Sequence, residues 1–194
     1  IPYIKEWLEL RKIVYSKLMP SKVDFSGKTM LIWAIVWGLS QGIIKRYDWS
    51  LDDINLTMKL LTCGNEKIVE TVKRWLVGEV WNLSELFWLE GKMPIYQKIF
   101  DFCKVVSKEI GRECLVYRIK DKRDRKLTII TSDGNYVTGN NSNKWLLGVA
   151  SPLRKNFSKK ENKIIINLAS DYFEAAYIGT SDEEQNKLSV LFSP

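Results

Sequence analysis

The hydrophobic period of this chain changes near Gly91, and that change limits the folds open to it. Before Gly91, apolar residues recur every three or four positions and the segments end at helix stops. After Pro94 comes one more helical stretch, and from Glu113 on, short alternating and β-branched runs take over. The reading is a mixed α+β chain: a helical bundle over 1–91 followed by an antiparallel-sheet α+β domain over 92–194, with the boundary at Gly91 to Pro94.

In the first part, Ile4 to Leu18 carries a helical apolar stripe that Pro20 ends. The uncharged run from Thr29 to Ile44 reads as a buried central helix, 28–44. Its 16 residues, with Gly38, Ser40, Gln41 and Gly42 among them, fall short of the ~20 apolar residues that cross a bilayer, so no membrane span is expected. Ser50 before Leu51-Asp52-Asp53 predicts a helix over 51–63, stopped at Gly64; Asn65 predicts another, stopped at Gly78. A short helix is expected from Val80 to Leu89. Six of the eight tryptophans lie between 33 and 88, a bulk that suits an aromatic-rich core.

In the second part, Pro94 suits a first helical turn, and Ile95, Ile99, Phe102, Val105, Val106 and Ile110 give an amphipathic helix closed by Gly111. Strands are predicted at Cys114–Ile119, Leu127–Thr131, Tyr136–Thr138, Trp145–Val149, Lys163–Leu168 and Leu188–Phe192. Turns fall at Asp133-Gly134 and Gly139-Asn140-Asn141.

The 194 residues include no histidine. Its absence removes the commonest general base and metal ligand, and with it the His-dependent nucleophile pairs, zinc sites and haem ligation. Ser26-Gly27-Lys28-Thr29 has the ending of a phosphate loop without its upstream glycine. Asp52-Asp53 and Glu183-Glu184 are sequence neighbours whose side chains diverge. No catalytic residue, metal or cofactor is assigned, and the chain reads as a non-enzyme. Three cysteines, Cys63, Cys103 and Cys114, suit reduced thiols in a cytoplasmic setting. The start at Ile1, without a leader, reads as a piece of a longer chain.

The helix IYQKIFDFCKVVSKEIG, the strand ECLVYRI, the strand and turn KLTIITSDG, the segment SPLRKNFSKKENKIIINLASDYF and the strand KLSVLFSP follow one another in an order that resembles a GAF domain. The resemblance covers about half the chain. It implies a sensory or regulatory module, acting through a small-molecule effector or as a homodimer, with any ligand between the sheet and its covering loops. Thr131, Trp145, Asn167, Tyr172 and Tyr177 are then the ligand candidates. The alternative for them is plain: aromatic rings filling a core, polar groups satisfying nearby backbone. The Asn-Lys-Phe-Asp-Glu pattern of cyclic-nucleotide-binding members is not matched, and Cys-His bilin attachment has no histidine. The resemblance also implies a further strand after Pro194, so the domain is expected to be truncated.

The formal net charge is +7. It divides evenly, with 14 basic against 11 acidic residues in 1–100 and 16 against 12 beyond. Two local clusters stand out. RIKDKRDRK contributes Arg118, Lys120, Lys122, Arg123, Arg125 and Lys126 between two strands; Arg154, Lys155, Lys159 and Lys160 form the second. Either could contact phosphates, and either could be a solvated loop. Beside the sensory reading, two others therefore stay open: a basic nucleic-acid-associated or viral structural protein, and a helical assembly module whose tryptophans pair with a partner.

Overall fold

In the computed structural model, which describes residues 2–18, 21–121, 127–131, 134–138 and 143–182, the helices are α1 (Pro2–Leu18), α2 (Lys22–Ser40), α3 (Asp53–Leu61), α4 (Glu66–Leu76), α5 (Tyr96–Ile110) and α6 (Lys159–Phe173). Four start on a side-chain oxygen that accepts an N–H three residues on: Ser21 from Asp24, Asp52 from Asn55, Asn65 from Ile68 and Ser158 from Glu161. The strands are β1 (Asn82–Leu83), β2 (Phe87–Glu90), β3 (Leu115–Lys120), β4 (Leu127–Thr131), β5 (Gly134–Thr138), β6 (Lys144–Ser151) and β7 (Ala176–Thr180). The fold is α+β, with the N-terminal helices preceding an antiparallel sheet.

Strand β6 is the axis of that sheet. It pairs antiparallel with β3 along one edge and with β1 and β2 along the other, and β2 in turn pairs with β7. Strands β4 and β5 make a separate hairpin. Leu83 faces Ala150 and Phe87 faces Leu147, so Ser84, Glu85 and Leu86 stand opposite only Gly148 and Val149. This is a bulge, and its backbone groups are taken up locally. Ser84 N–H donates to the Val149 carbonyl at 2.8 Å, Val149 N–H donates to Ser84 Oγ at 3.0 Å, and Glu85 N–H donates to Asn162 Oδ1 of α6 at 3.0 Å.

Alternation along β6 supplies both faces. Trp145, Leu147 and Val149 join Phe87, Leu89, Ile99, Phe102, Ile165 and Phe173 in the main core. Leu146 joins Phe25 of α2, Leu86 and Trp88 on the opposite face. Trp33 of α2 reaches the main core and donates its indole N–H to the Val116 carbonyl at 3.2 Å. A third cluster holds α3 and α4 to α2 through Ala34, Ile44, Leu60, Ile68 and Val72.

Several expectations change. The central helix runs over 22–40 rather than 28–44, because Ser21 caps it earlier. Asp52, not Ser50, caps α3; Arg46–Ser50 is a 3-10 turn held by Asp48, whose carboxylate accepts from Lys45 N–H and the Lys59 ammonium. Pro94 lies before the N-cap, Ile95. Val80–Leu89 is no helix: β1 and β2 occupy it, since Phe87, Trp88 and Leu89 are buried on both faces of a sheet. Lys163–Leu168 is no strand but the middle of α6, where Asn162, Ile165, Ala169 and Phe173 make a buried helical stripe. Strand β7 was not foreseen. The sheet thus extends across Gly91. Of the tryptophans, Trp33, Trp81, Trp88 and Trp145 are buried, while Trp7 and Trp49 are exposed. Leu188–Phe192 and the turns at 133 and 139–141 lie outside the described residues. No described helix is long and apolar enough to cross a membrane.

Gly148 marks the tightest point. A Cβ there would lie 2.5 Å from Leu86 Cδ2 and 2.6 Å from Phe25 Cε1, closer than any carbon contact allows. Gly148→Ala is expected to lower the unfolding free energy by about 1–3 kcal/mol, measured by urea denaturation; an unchanged midpoint would refute this packing account.

Candidate anion-binding turn

Helix α6 opens with Ser158-Lys159-Lys160-Glu161, a capping box. Ser158 Oγ accepts from Glu161 N–H at 3.2 Å, and Ser158 N–H donates to Glu161 Oε2 at 2.7 Å. The box takes up the third N–H of the helix; those of Lys159 and Lys160 lie at its open, positive end.

Beneath this end sits Arg112. It follows Gly111, the left-handed cap of α5 at φ 75°, which turns the chain back under α6. The Arg112 side chain is 5% exposed, its Nη2 is 3.3 Å from Glu161 Oε1, and its guanidinium carbon is 4.2 Å from the Phe157 ring centroid. The guanidinium also lies against the Cys114 thiol, whose pKa burial raises and the Arg112 charge and hydrogen bond lower in smaller measure. A buried cation is thus held by a carboxylate, an aromatic face and a thiol.

Lys155, Lys159 and Lys160 belong to the same turn and are exposed, as is Arg154. Arg74 donates Nη1 to the Pro152 carbonyl at 3.3 Å, and Arg154 Nη2 lies 3.5 Å from Glu79 Oε2. Arg112, Lys155, Lys159 and Lys160 therefore accompany the Glu161 carboxylate at the α6 N-terminus, while Arg74 and Arg154 share Glu79. Such an arrangement attracts anions.

The hydrogen bond from Ser158 N–H holds the Glu161 carboxyl below its usual range, with the Ser158 hydroxyl and the charges of Arg112 and Lys155 adding to it against the cost of burial. Asn162, one residue on, ties the same turn to the bulge in the sheet.

The ligand candidates are dispersed. Trp145 is wholly buried and meets Phe173 edge-on at 5.4 Å. Tyr172, half-buried, lies 5.1 Å from Phe173 and 5.2 Å from Phe102. These two share the core. Asn167 is on the outward side of α6. Tyr177 is exposed on β7, its ring 6.4 Å from Phe87. Thr131 ends β4, paired with Gly134, and its side chain lies outside the described residues.

Of the first basic cluster, the described members lie away from the second. Lys120 pairs with Trp145 at one end of β6, whereas Arg154 follows Ser151 at the other; seven strand steps of ~3.4 Å put the ends about 24 Å apart. Arg118 is committed to packing: it donates Nη1 to Met93 Sδ at 2.8 Å and stacks 4.8 Å from the Tyr96 ring centroid, and burial lowers its pKa. Lys122, Arg123, Arg125 and Lys126 lie outside the described residues.

Arg112, Arg74, Ser158 and Glu161 were missed in the sequence. The spacing Ser158-x-x-Glu161 was the available signal; nothing in sequence places Arg112 beneath it.

Ser26, Gly27 and Thr29 are buried inside α2, so that fragment is helix and not a loop around phosphate. Among the described residues no cluster of three or more metal-ligating side chains occurs. Burial pushes the Cys103 thiol up to about 12 and that of Cys114 to about 11, which leaves both protonated and unreactive at neutral pH. Comparison with known proteins found no matching family model and no matching curated protein.

Two outcomes follow from this geometry. A thiol-specific disulfide reagent at pH 8 is expected to label the half-buried Cys63 alone, with Cys103 and Cys114 reacting only in denaturant; rapid labelling of three native thiols would contradict their burial. Because the folded pKa of Glu161 is lowered, its contribution to stability is complete above the ordinary carboxylate range and is lost as pH falls through the lowered value. The stability gap between the protein and Glu161→Gln, followed by urea unfolding from neutral pH into acid, should therefore shrink on acidification. A gap that stays constant would rule out this role.

Proposed function

We propose that this protein is a non-enzymatic sensory or regulatory module that binds a phosphate-bearing small-molecule effector at the β6–α6 turn. The observation that carries the reading is the buried Arg112 guanidinium beneath the α6 N-terminus, with the exposed Lys155, Lys159 and Lys160 at the same turn. Fixed N–H groups, a helix dipole and mobile lysines are the elements that recognise phosphate without any catalytic group.

The proposal keeps the GAF-like reading of 92–194 as its fold-level part. It moves ligand contact from the sheet to the turn, since Trp145 and Tyr172 contribute to the core. A reducing, cytoplasmic setting belongs to the same proposal and is supported by the three free cysteines.

The test is amide NMR of the whole chain titrated with pyrophosphate, a nucleoside triphosphate and a short RNA. Shifts centred on Ser158, Lys159 and Lys160, weakened about tenfold or more in Lys155→Glu/Lys159→Glu, are expected. No response to any phosphate compound at millimolar concentration would overturn the proposal. Binding of RNA alone, with a steep salt dependence, would replace it with the nucleic-acid reading.

A further inference from the structure

Helix α1 leaves Tyr3, Trp7, Leu10 and Val14 exposed, at 82%, 50%, 56% and 48% of their full accessibility. Their intervals of four, three and four residues are the a and d rhythm of a coiled-coil seam. At 3.6 residues per turn they fall on one stripe. That stripe is not the side on which α1 meets the rest of the chain. Tyr15 packs against the cluster of Phe25, Leu86, Trp88 and Leu146, and the half-buried Leu8, Arg11 and Tyr15 mark this docked side, about a quarter turn from the seam, with Ile13 half-buried on the other flank.

The positions that border the stripe are Ile4, Glu6, Arg11, Ile13 and Leu18, and the charged pair among them indicates what covers it. With Tyr3 and Leu10 at d and Trp7 and Val14 at a, Glu6 falls at g and Arg11 at e. In a parallel pair, a g residue faces the e residue five positions on in the other helix. Glu6 and Arg11 have that separation, so a second copy forms two opposite-charge pairs by symmetry. An antiparallel pair sets e beside e and g beside g, and forms neither. Arg11 is held in place between seam and docked side, its guanidinium 5.6 Å from the Trp7 ring and 4.3 Å from the Tyr15 ring. Twofold rotation about the seam carries the two folded bodies to opposite sides, which leaves room for both.

We infer that α1 is a parallel, twofold self-association helix whose occupant is a second copy of this chain. It is a short one. Seventeen residues span about 25 Å, and their seam buries less than the ~1,600 Å² of a standard interface. The dimer is accordingly reversible and concentration-dependent. This inference stands apart from the phosphate reading and survives its failure.

The test is analytical ultracentrifugation of the whole chain from about 1 μM to about 1 mM. A monomer–dimer equilibrium is expected, abolished by Leu10→Glu and weakened about fivefold or more by Glu6→Arg or Arg11→Glu alone. The double variant E6R/R11E is expected to restore it. Far-UV circular dichroism matching the parent in each variant separates loss of pairing from loss of fold. A monomer over the whole range, or a dimer indifferent to Leu10→Glu, would overturn the inference. So would a double variant that does not recover, or a monomer whose α1 instead binds anionic phospholipid vesicles.

Discussion

Strand β6 is paired along both edges and covered on both faces, and the other layers take their positions from it. Such a strand must satisfy packing and hydrogen bonding from four sides at once. The conflict concentrates at Gly148, where Leu86 and Phe25 approach from one face. A side chain there would force one of the two away. The bulge at Ser84 to Leu86 is the backbone's accommodation, and Asn162 of α6 closes it from the other layer. The two helical layers are therefore coupled through a single irregularity in the sheet, and both depend on a glycine.

What was legible in sequence was what local physics determines. Asn65 and Gly111 announced their helix ends, and the alternation in Cys114–Ile119 and Trp145–Val149 located the two longest strands. The misreadings came where a local pattern pointed two ways. Ile164-Ile165-Ile166 has the β-branched content of a strand, yet the Ser158 box starts a helix that runs through it, and burial of Ile165, Ala169 and Phe173 secures it. Phe87-Trp88-Leu89 has no cap and no periodicity of its own; only pairing with β6 and β7, far away in sequence, makes it a strand. The candidate anion-binding turn was half legible. Its four exposed cations were visible as a cluster, while Arg112 enters through the third dimension.

The electrostatics of that turn rest on which cation is buried. Arg112 lays a planar guanidinium on the Phe157 ring while facing the Glu161 carboxylate, a geometry the compact ammonium of a lysine does not offer. Its pairing with Glu161 offsets the capping carboxylate that would otherwise repel an anion. The surrounding lysines then set the field at the helix end, and the evenly spread +7 of the chain becomes locally directional.

The position of β2 also governs the order in which the chain can assemble. It lies between β6 and β7, and its partners in β6 follow it by more than fifty residues, as in Phe87 with Leu147. The helices α2, α3 and α4 can gather through near-neighbour contacts, but the centre of the sheet waits for a long loop to close. Strand β7 has no place to dock until β2 is seated. Late folding is thus assigned to the same edge that carries Tyr177, and a ribosome must release nearly the whole described chain before the sheet can be finished.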